Sequence, residues 1–133
     1  MIDVLIVDDD EIFGQLTLER IETLSWSAMF HKGPFGTVNA IRAAKPRLII
    51  MDVNMPGLDG AAIYDLLRKQ DVLQDTRVLL MSSLEQRELE AIQQEHAIDA
   101  SLPKSATRAE LAAAIAQLIG GRRSLRTGPN EPR

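Results

Sequence analysis

Three unbroken apolar runs punctuate the chain: Val4-Leu5-Ile6-Val7, Leu48-Ile49-Ile50-Met51 and Val78-Leu79-Leu80-Met81. A strand with one wet face alternates polar and apolar residues, so runs without alternation predict strands covered on both faces, as in a parallel sheet. Each run stops at polar residues: Asp8-Asp9-Asp10, then Asp52, then Ser82-Ser83. Between the first two runs, Phe13, Leu16, Thr17, Ile21 and Leu24 recur at helical spacing and predict a helix with that set facing inward. A short strand over residues 27–30 and a helix over 37–44, ended before Pro46, complete the interval. Pro56, Gly57 and Gly60 mark a loop, with Asp59 and Gly60 as turn and helix-start residues, and Ile63, Leu66 and Leu67 mark the next helix. Ser83-x-x-Gln86 reads as a capping box with Ser83 as N-cap, opening a fourth helix whose sparse apolar positions, Leu89 and Ile92, anchor it lightly. A weak strand over 98–102 leads to Pro103-Lys104, and Thr107-x-x-Glu110 opens a last helix with Leu111, Ile115, Leu118 and Ile119 on one face.

Five strands alternating with helices predict an α/β fold, a doubly wound parallel sheet in a single domain over residues 1–120. The remaining residues, 121–133, read GRRSLRTGPNEPR and predict a disordered basic tail. The charge follows the same division. Of 15 basic and 19 acidic residues, four and one fall in the tail, leaving a body with 11 and 18 and a net charge of −7. An acidic body lacks the basic footprint that phosphate backbones require, so direct nucleic-acid binding is not expected. No stretch approaches the roughly 20 apolar residues of a membrane span, and Met1-Ile2-Asp3-Val4 has no basic leader character. The absence of cysteine fits a reducing, cytoplasmic setting.

Candidate chemistry lies where the apolar runs end. In open parallel sheets, ligands bind beyond the carboxyl ends of the strands. There the chain collects Asp8, Asp9 and Asp10 after the first strand, Asp52 after the third, Ser82 and Ser83 after the fourth, and Lys104 after the fifth. Asp10 reads as the residue that starts the following helix. Asp8, Asp9 and Asp52 on neighbouring strands repel one another unless a cation is present. Without Cys, and with two scattered His, that cation is a hard one taking oxygen ligands, and magnesium suits the set best. A carboxylate such as Asp52 can then act as nucleophile toward a phosphoryl group, with the Lys104 ammonium and the Ser82 hydroxyl on its other sides. His31 and His96 have no partner acids at ligand spacing and read as surface or boundary residues; Trp26, Phe30, Phe35 and Tyr64 read as packing residues.

VLIVDDD at 4–10, LIIMDVNMPGLDG at 48–60, VLLMSS at 78–83 and LPK at 102–104 resemble the receiver domains of response regulators in two-component signal transduction. The resemblance runs from about residue 3 to residue 120, with four motifs in the family's order and spacing. It implies the flavodoxin-like fold of chemotaxis regulators, (βα)5 with strand order 2-1-3-4-5. By position, Asp52 resembles the phosphoacceptor, Asp9 and Asp52 the direct ligands of Mg2+, and Asp8 the acid that holds the metal through water. Asn54 would lend its backbone carbonyl to the metal. Ser82 resembles the switch hydroxyl, and Lys104 the lysine that reaches the phosphoryl oxygens. The implied partners are a sensor histidine kinase or phosphotransfer protein and a downstream protein effector, the chain being a monomer or weak dimer. It would catalyse only its own phosphorylation and dephosphorylation.

Two positions depart from the family pattern. Ser101 stands where an aromatic usually forms half of a rotamer switch, and Ser105 stands where proline usually follows the lysine. Two other readings compete. VLIVDDDEI also fits the haloacid-dehalogenase class of phosphatases, with Asp8 as nucleophile, but no later strand ends in that class's paired acids and LIIMDVNMPGLDG has no role there. A pseudo-receiver, an interaction module that is not phosphorylated, typically lacks one of the acids or the lysine; this chain has all of them.

Overall fold

A computed structural model describes residues 1–55 and 58–120. The predicted tail, 121–133, and the Pro56-Gly57 part of the predicted loop lie outside the described residues. The main sheet comprises β1 (Val4–Asp8), β2 (Ala28–Lys32), β3 (Leu48–Met51), β4 (Arg77–Ser82) and β5 (Ala100–Pro103), in the order β2-β1-β3-β4-β5 and parallel throughout. The helices are α1 (Glu11–Thr23), α2 (Thr37–Ala44), α3 (Gly60–Lys69), α4 (Gln86–His96) and α5 (Arg108–Ile119). The expected doubly wound α/β fold and its strand order are therefore present. An addition is a two-stranded antiparallel ribbon, Asn54–Met55 against Leu58–Asp59, within the stretch after β3 that the sequence predicts as loop.

Strand alternation divides the central runs between two cores. Leu5, Val7, Ile49, Met51, Val78 and Leu80 pack with Ile41, Ile63, Tyr64, Leu67 and Leu89 from α2, α3 and α4. Val4, Ile6, Leu48, Ile50, Leu79 and Met81 face the other side, with Ile21 of α1 and Leu111 and Ile115 of α5. Both sets are almost fully buried, which explains why β1, β3 and β4 are apolar without alternation. Each such side chain contributes about 1.5–3 kcal/mol on burial, so the ends of these strands are held rigidly. The opposite end of the sheet is stapled by Asp3. Its carboxylate accepts from the Ser27 N–H at 2.9 Å and pairs with Arg47 at 3.2 Å. Arg47 also donates to the Ile119 carbonyl, tying the end of α5 to the start of β1.

Several local expectations need correction. The inward face of α1 is Gly14, Thr17 and Ile21; Leu16 is half exposed. The helix takes its phase from Asp10, whose side chain caps it by accepting from the Phe13 N–H at 3.1 Å. Gly14 lets the Phe30 ring lie against the helix, since a Cβ there would come within 2.2 Å of the ring. Leu66 is likewise half exposed, whereas Tyr64 is buried. Phe35 is not a packing residue, being 88% exposed. Strand β2 runs on to Lys32 because an edge strand tolerates polar residues.

Helix α4 does not start at Ser83. The Ser82 hydroxyl accepts from the Leu84 N–H at 3.3 Å and holds the chain out of the helix. Glu85 is the N-cap, and its N–H donates to the Glu88 side chain at 3.3 Å. Strand β5 starts at Ala100, after Ile98, because Asp99 turns its carboxylate back to the Val78 N–H at 2.8 Å. Ser83 is therefore exposed and caps nothing.

Candidate functional site

At the carboxyl end of the sheet, β1 delivers Asp8 and Asp9, the turn after β3 delivers Asp52, β4 ends in Ser82, and the turn after β5 delivers Lys104. Asp8, Asp52 and Ser82 are buried, at 2%, 4% and 0% exposure. The two buried carboxylates are used alike. Oδ1 of Asp8 accepts from the Asp10 N–H at 2.9 Å, and Oδ1 of Asp52 accepts from the Asn54 N–H at 2.8 Å. Their Oδ2 atoms both face Lys104, whose Nζ lies 2.9 Å from Asp8 and 3.0 Å from Asp52. One ammonium thus bridges the two buried acids of this rim.

Backbone pairing supports that bridge. The Lys104 N–H donates to the Ser82 carbonyl at 2.9 Å, extending the β4–β5 ladder by one rung and fixing the lysine relative to the serine. The ammonium also lies 4.5 Å from the centroid of the Phe13 ring in the first turn of α1. Burial pushes the Asp8 carboxyl above its ordinary value, against the stabilising Asp10 N–H and the Lys104 ammonium; the nearby Asp52 charge pushes it further the same way. Burial works against the Lys104 charge, but hydrogen bonds to Asp8 and Asp52 outweigh it and hold the ammonium above the ordinary lysine value.

Asp8, Asp9 and Asp52 each offer a carboxylate oxygen, all within 4.8 Å of one another. Three hard anionic oxygens at this spacing match the donor chemistry of a divalent cation such as magnesium. Asn54 is exposed in the short ribbon. Asp10 lies outside the metal-ligand cluster and caps α1, as its sequence context predicts. The structure thus brings Asp8, Asp9, Asp52, Ser82 and Lys104 to one rim.

Three further contacts lie beyond the sequence reading. Phe13 read as one member of a helical stripe, and nothing in its spacing signals the lysine above it. Ser101, where the family pattern has an aromatic, donates its hydroxyl to Gln93 of α4 at 2.8 Å. His96, expected without an acidic partner, lies 3.1 Å from Asp65 of α3. Folding brings that acid from 31 residues away, a separation no local spacing rule reaches.

The family model for the response regulator receiver domain matches residues 4–116. Among solved structures, the chain is similar to the chemotaxis protein CheY4 of Vibrio cholerae, with a TM-score of 0.79 and 20% identity over 89% of this chain and 98% of that one. It is also similar to the receiver domain of Francisella response regulator 1452, with a TM-score of 0.78 and 25% identity over 90% of this chain and 97% of that one. The transcription factor prr1 of Schizosaccharomyces pombe is 30% identical over 80 residues, which are 60% of this chain and 14% of that protein's length. A match across all five strands and the site they carry makes the chain a member of the response regulator receiver domain family.

Proposed function

We propose that the chain is a phosphoacceptor of two-component or phosphorelay signalling, with Asp52 as the acceptor. The observation that carries this reading is the Lys104 bridge between two buried carboxylates at one sheet rim, with the Ser82 hydroxyl at the end of the adjacent strand. An Oδ atom of Asp52 attacks the phosphorus of a phosphohistidine presented by a sensor histidine kinase or phosphotransfer protein. The new P–O bond forms as the P–N bond breaks, and the imidazole nitrogen keeps the electron pair. Magnesium, when bound, neutralises the carboxylates and draws charge from the phosphoryl oxygens. Asp9 and Asp52 would hold it directly, with the Asn54 carbonyl, and Asp8 would hold it through water. Lys104 supplies the remaining positive charge, and its hydrogen bonds keep it protonated at neutral pH. Ser82 donates its hydroxyl to the phosphoryl group once that group is in place.

The change at Ser82 is read by a downstream protein effector in the cytoplasm. Without an aromatic at Ser101, the route runs through the Ser82-Ser83-Leu84 loop and α4. Ser101 and Gln93 supply a polar link between β5 and that helix. The chain acts on no substrate besides its own aspartyl phosphate and so is not a turnover enzyme. Incubation with acetyl phosphate and magnesium, followed by intact mass measurement, tests the reading. A receiver gains one phosphoryl group. A pseudo-receiver gains none, and a phosphatase releases phosphate without retaining it.

A further inference from the structure

We infer that Phe13 is a positioning residue for Lys104, holding the ammonium at the acidic rim through its ring face; this rests on the reading of Asp52 as phosphoacceptor. Lys104 Nζ lies 4.5 Å from the Phe13 centroid, 2.9 Å from Asp8 and 3.0 Å from Asp52. Its side chain is 18% exposed, so the contact forms where water competes weakly. The face of an aromatic ring carries negative charge and attracts a cation without accepting a conventional hydrogen bond. An ammonium has three N–H donors. Two point at the carboxylates, and the ring steadies the charge while leaving the third donor for an incoming phosphoryl oxygen.

Phe13 is itself fixed. Its N–H donates to Asp10 at 3.1 Å, and the next residue, Gly14, bonds through its N–H to the Asp10 carbonyl at 2.9 Å. Asp10 follows the Asp8-Asp9 pair directly, and its own N–H donates to Asp8 at 2.9 Å. The DDDEIF stretch therefore sets both the acids and the ring that flank the lysine. The ring matters most when the Asp8 and Asp52 oxygens turn to a metal. The lysine then shares its anionic partners, whereas its contact with the ring is not competed for.

The test compares Phe13→Leu, which keeps an apolar side chain without a π face, with Phe13→Tyr, which keeps the ring. The 133-residue chain is labelled by acetyl phosphate and magnesium, and the rate is followed by intact mass. The Lys104 Hε protons are followed in parallel by NMR, because a ring face shifts them upfield. Phe13→Leu is expected to slow labelling roughly three- to fivefold and to return the Hε signals to the positions of an exposed lysine. Phe13→Tyr is expected to keep both the rate and the upfield shift. Wild-type labelling rates in Phe13→Leu, or equal slowing by Leu and Tyr, would overturn the assignment and make Phe13 a packing residue. Failure of the wild type to take up any phosphoryl group would sink the phosphoacceptor reading and this role with it. An upfield shift in that unlabelled wild type would still mark the ring–lysine contact, separating the two failures.

Discussion

Lys104 acts as the site's resident cation while no metal shares the carboxylates, and this makes its removal informative. Lys104→Met leaves Asp8 and Asp52 facing each other in a buried setting. We expect the metal-free variant to lose about 3 kcal/mol, measured by urea unfolding. Because the folded-state pKa of Lys104 is raised, its contribution is complete below the unfolded value of about 10.4 and is lost as pH rises through the higher folded value. The stability gap between wild type and Lys104→Met should therefore be flat from neutral pH to about 9 and close above about 10.4. A gap that persists undiminished well above about pH 10.4 would contradict the assignment. Asp9 is the third acid of the cluster and bears repulsion that Lys104 does not bridge. Asp9→Asn should raise the metal-free melting temperature by roughly 2–4 °C and remove the stabilisation that added magnesium gives the wild type. A lower melting temperature without metal would argue against crowding.

Helix α4 combines a thin hydrophobic anchor with a strong polar hold at one end. Among the described residues its buried side chain is Leu89. At its carboxyl end, Arg68 of α3 donates to the His96 carbonyl at 3.0 Å, and the Tyr64 hydroxyl donates to the Ala97 carbonyl at 3.4 Å. Its amino end joins the Ser82-Ser83-Leu84 loop, where the Leu84 N–H leans on the Ser82 hydroxyl. On the proposed reading that hydroxyl turns to a phosphoryl group, which would take the partner from the Leu84 N–H and make the first turns of α4 readjust. Amide exchange with and without a phosphoryl mimic should change most over residues 82–97, more in the first turns than near His96. Changes confined to the pocket, or centred on Ser101, would refute this route. The light anchoring of α4 was legible in sequence because Leu89 and Ile92 stand nearly alone. The start of the helix was not, because the serine that resembles an N-cap is displaced when its neighbour's hydroxyl takes the Leu84 N–H. Periodicity likewise gave α1 and α3 but misplaced Leu16 and Leu66, whose exposure depends on helix rotation against the sheet.

Across the whole molecule, the two ends of the sheet divide labour. One end gathers buried acids and a lysine, while the other is closed by Asp3, Arg47 and the Ile119 carbonyl at the end of α5. Arg47→Met should cost about 2–4 kcal/mol in urea unfolding, because it leaves the Asp3 carboxylate buried without its guanidinium. Phosphoryl uptake should be unchanged, and a variant that is fully stable yet slow to be labelled would contradict this division. The strands and the rim were legible because an apolar run ending in acids encodes both burial and location at once. The Phe13, Gln93 and Asp65 contacts were not, since each joins side chains that only the folded chain brings together. On the proposed reading, Asp52 alone receives the phosphoryl group. Protein treated with acetyl phosphate and magnesium can be reduced with borohydride, which converts an aspartyl phosphate to homoserine, and then mapped by peptide mass spectrometry. Homoserine is expected at position 52 and not in Asp52→Asn; homoserine at Asp8 or Asp9 in the wild type, or continued conversion in Asp52→Asn, would overturn the assignment of Asp52.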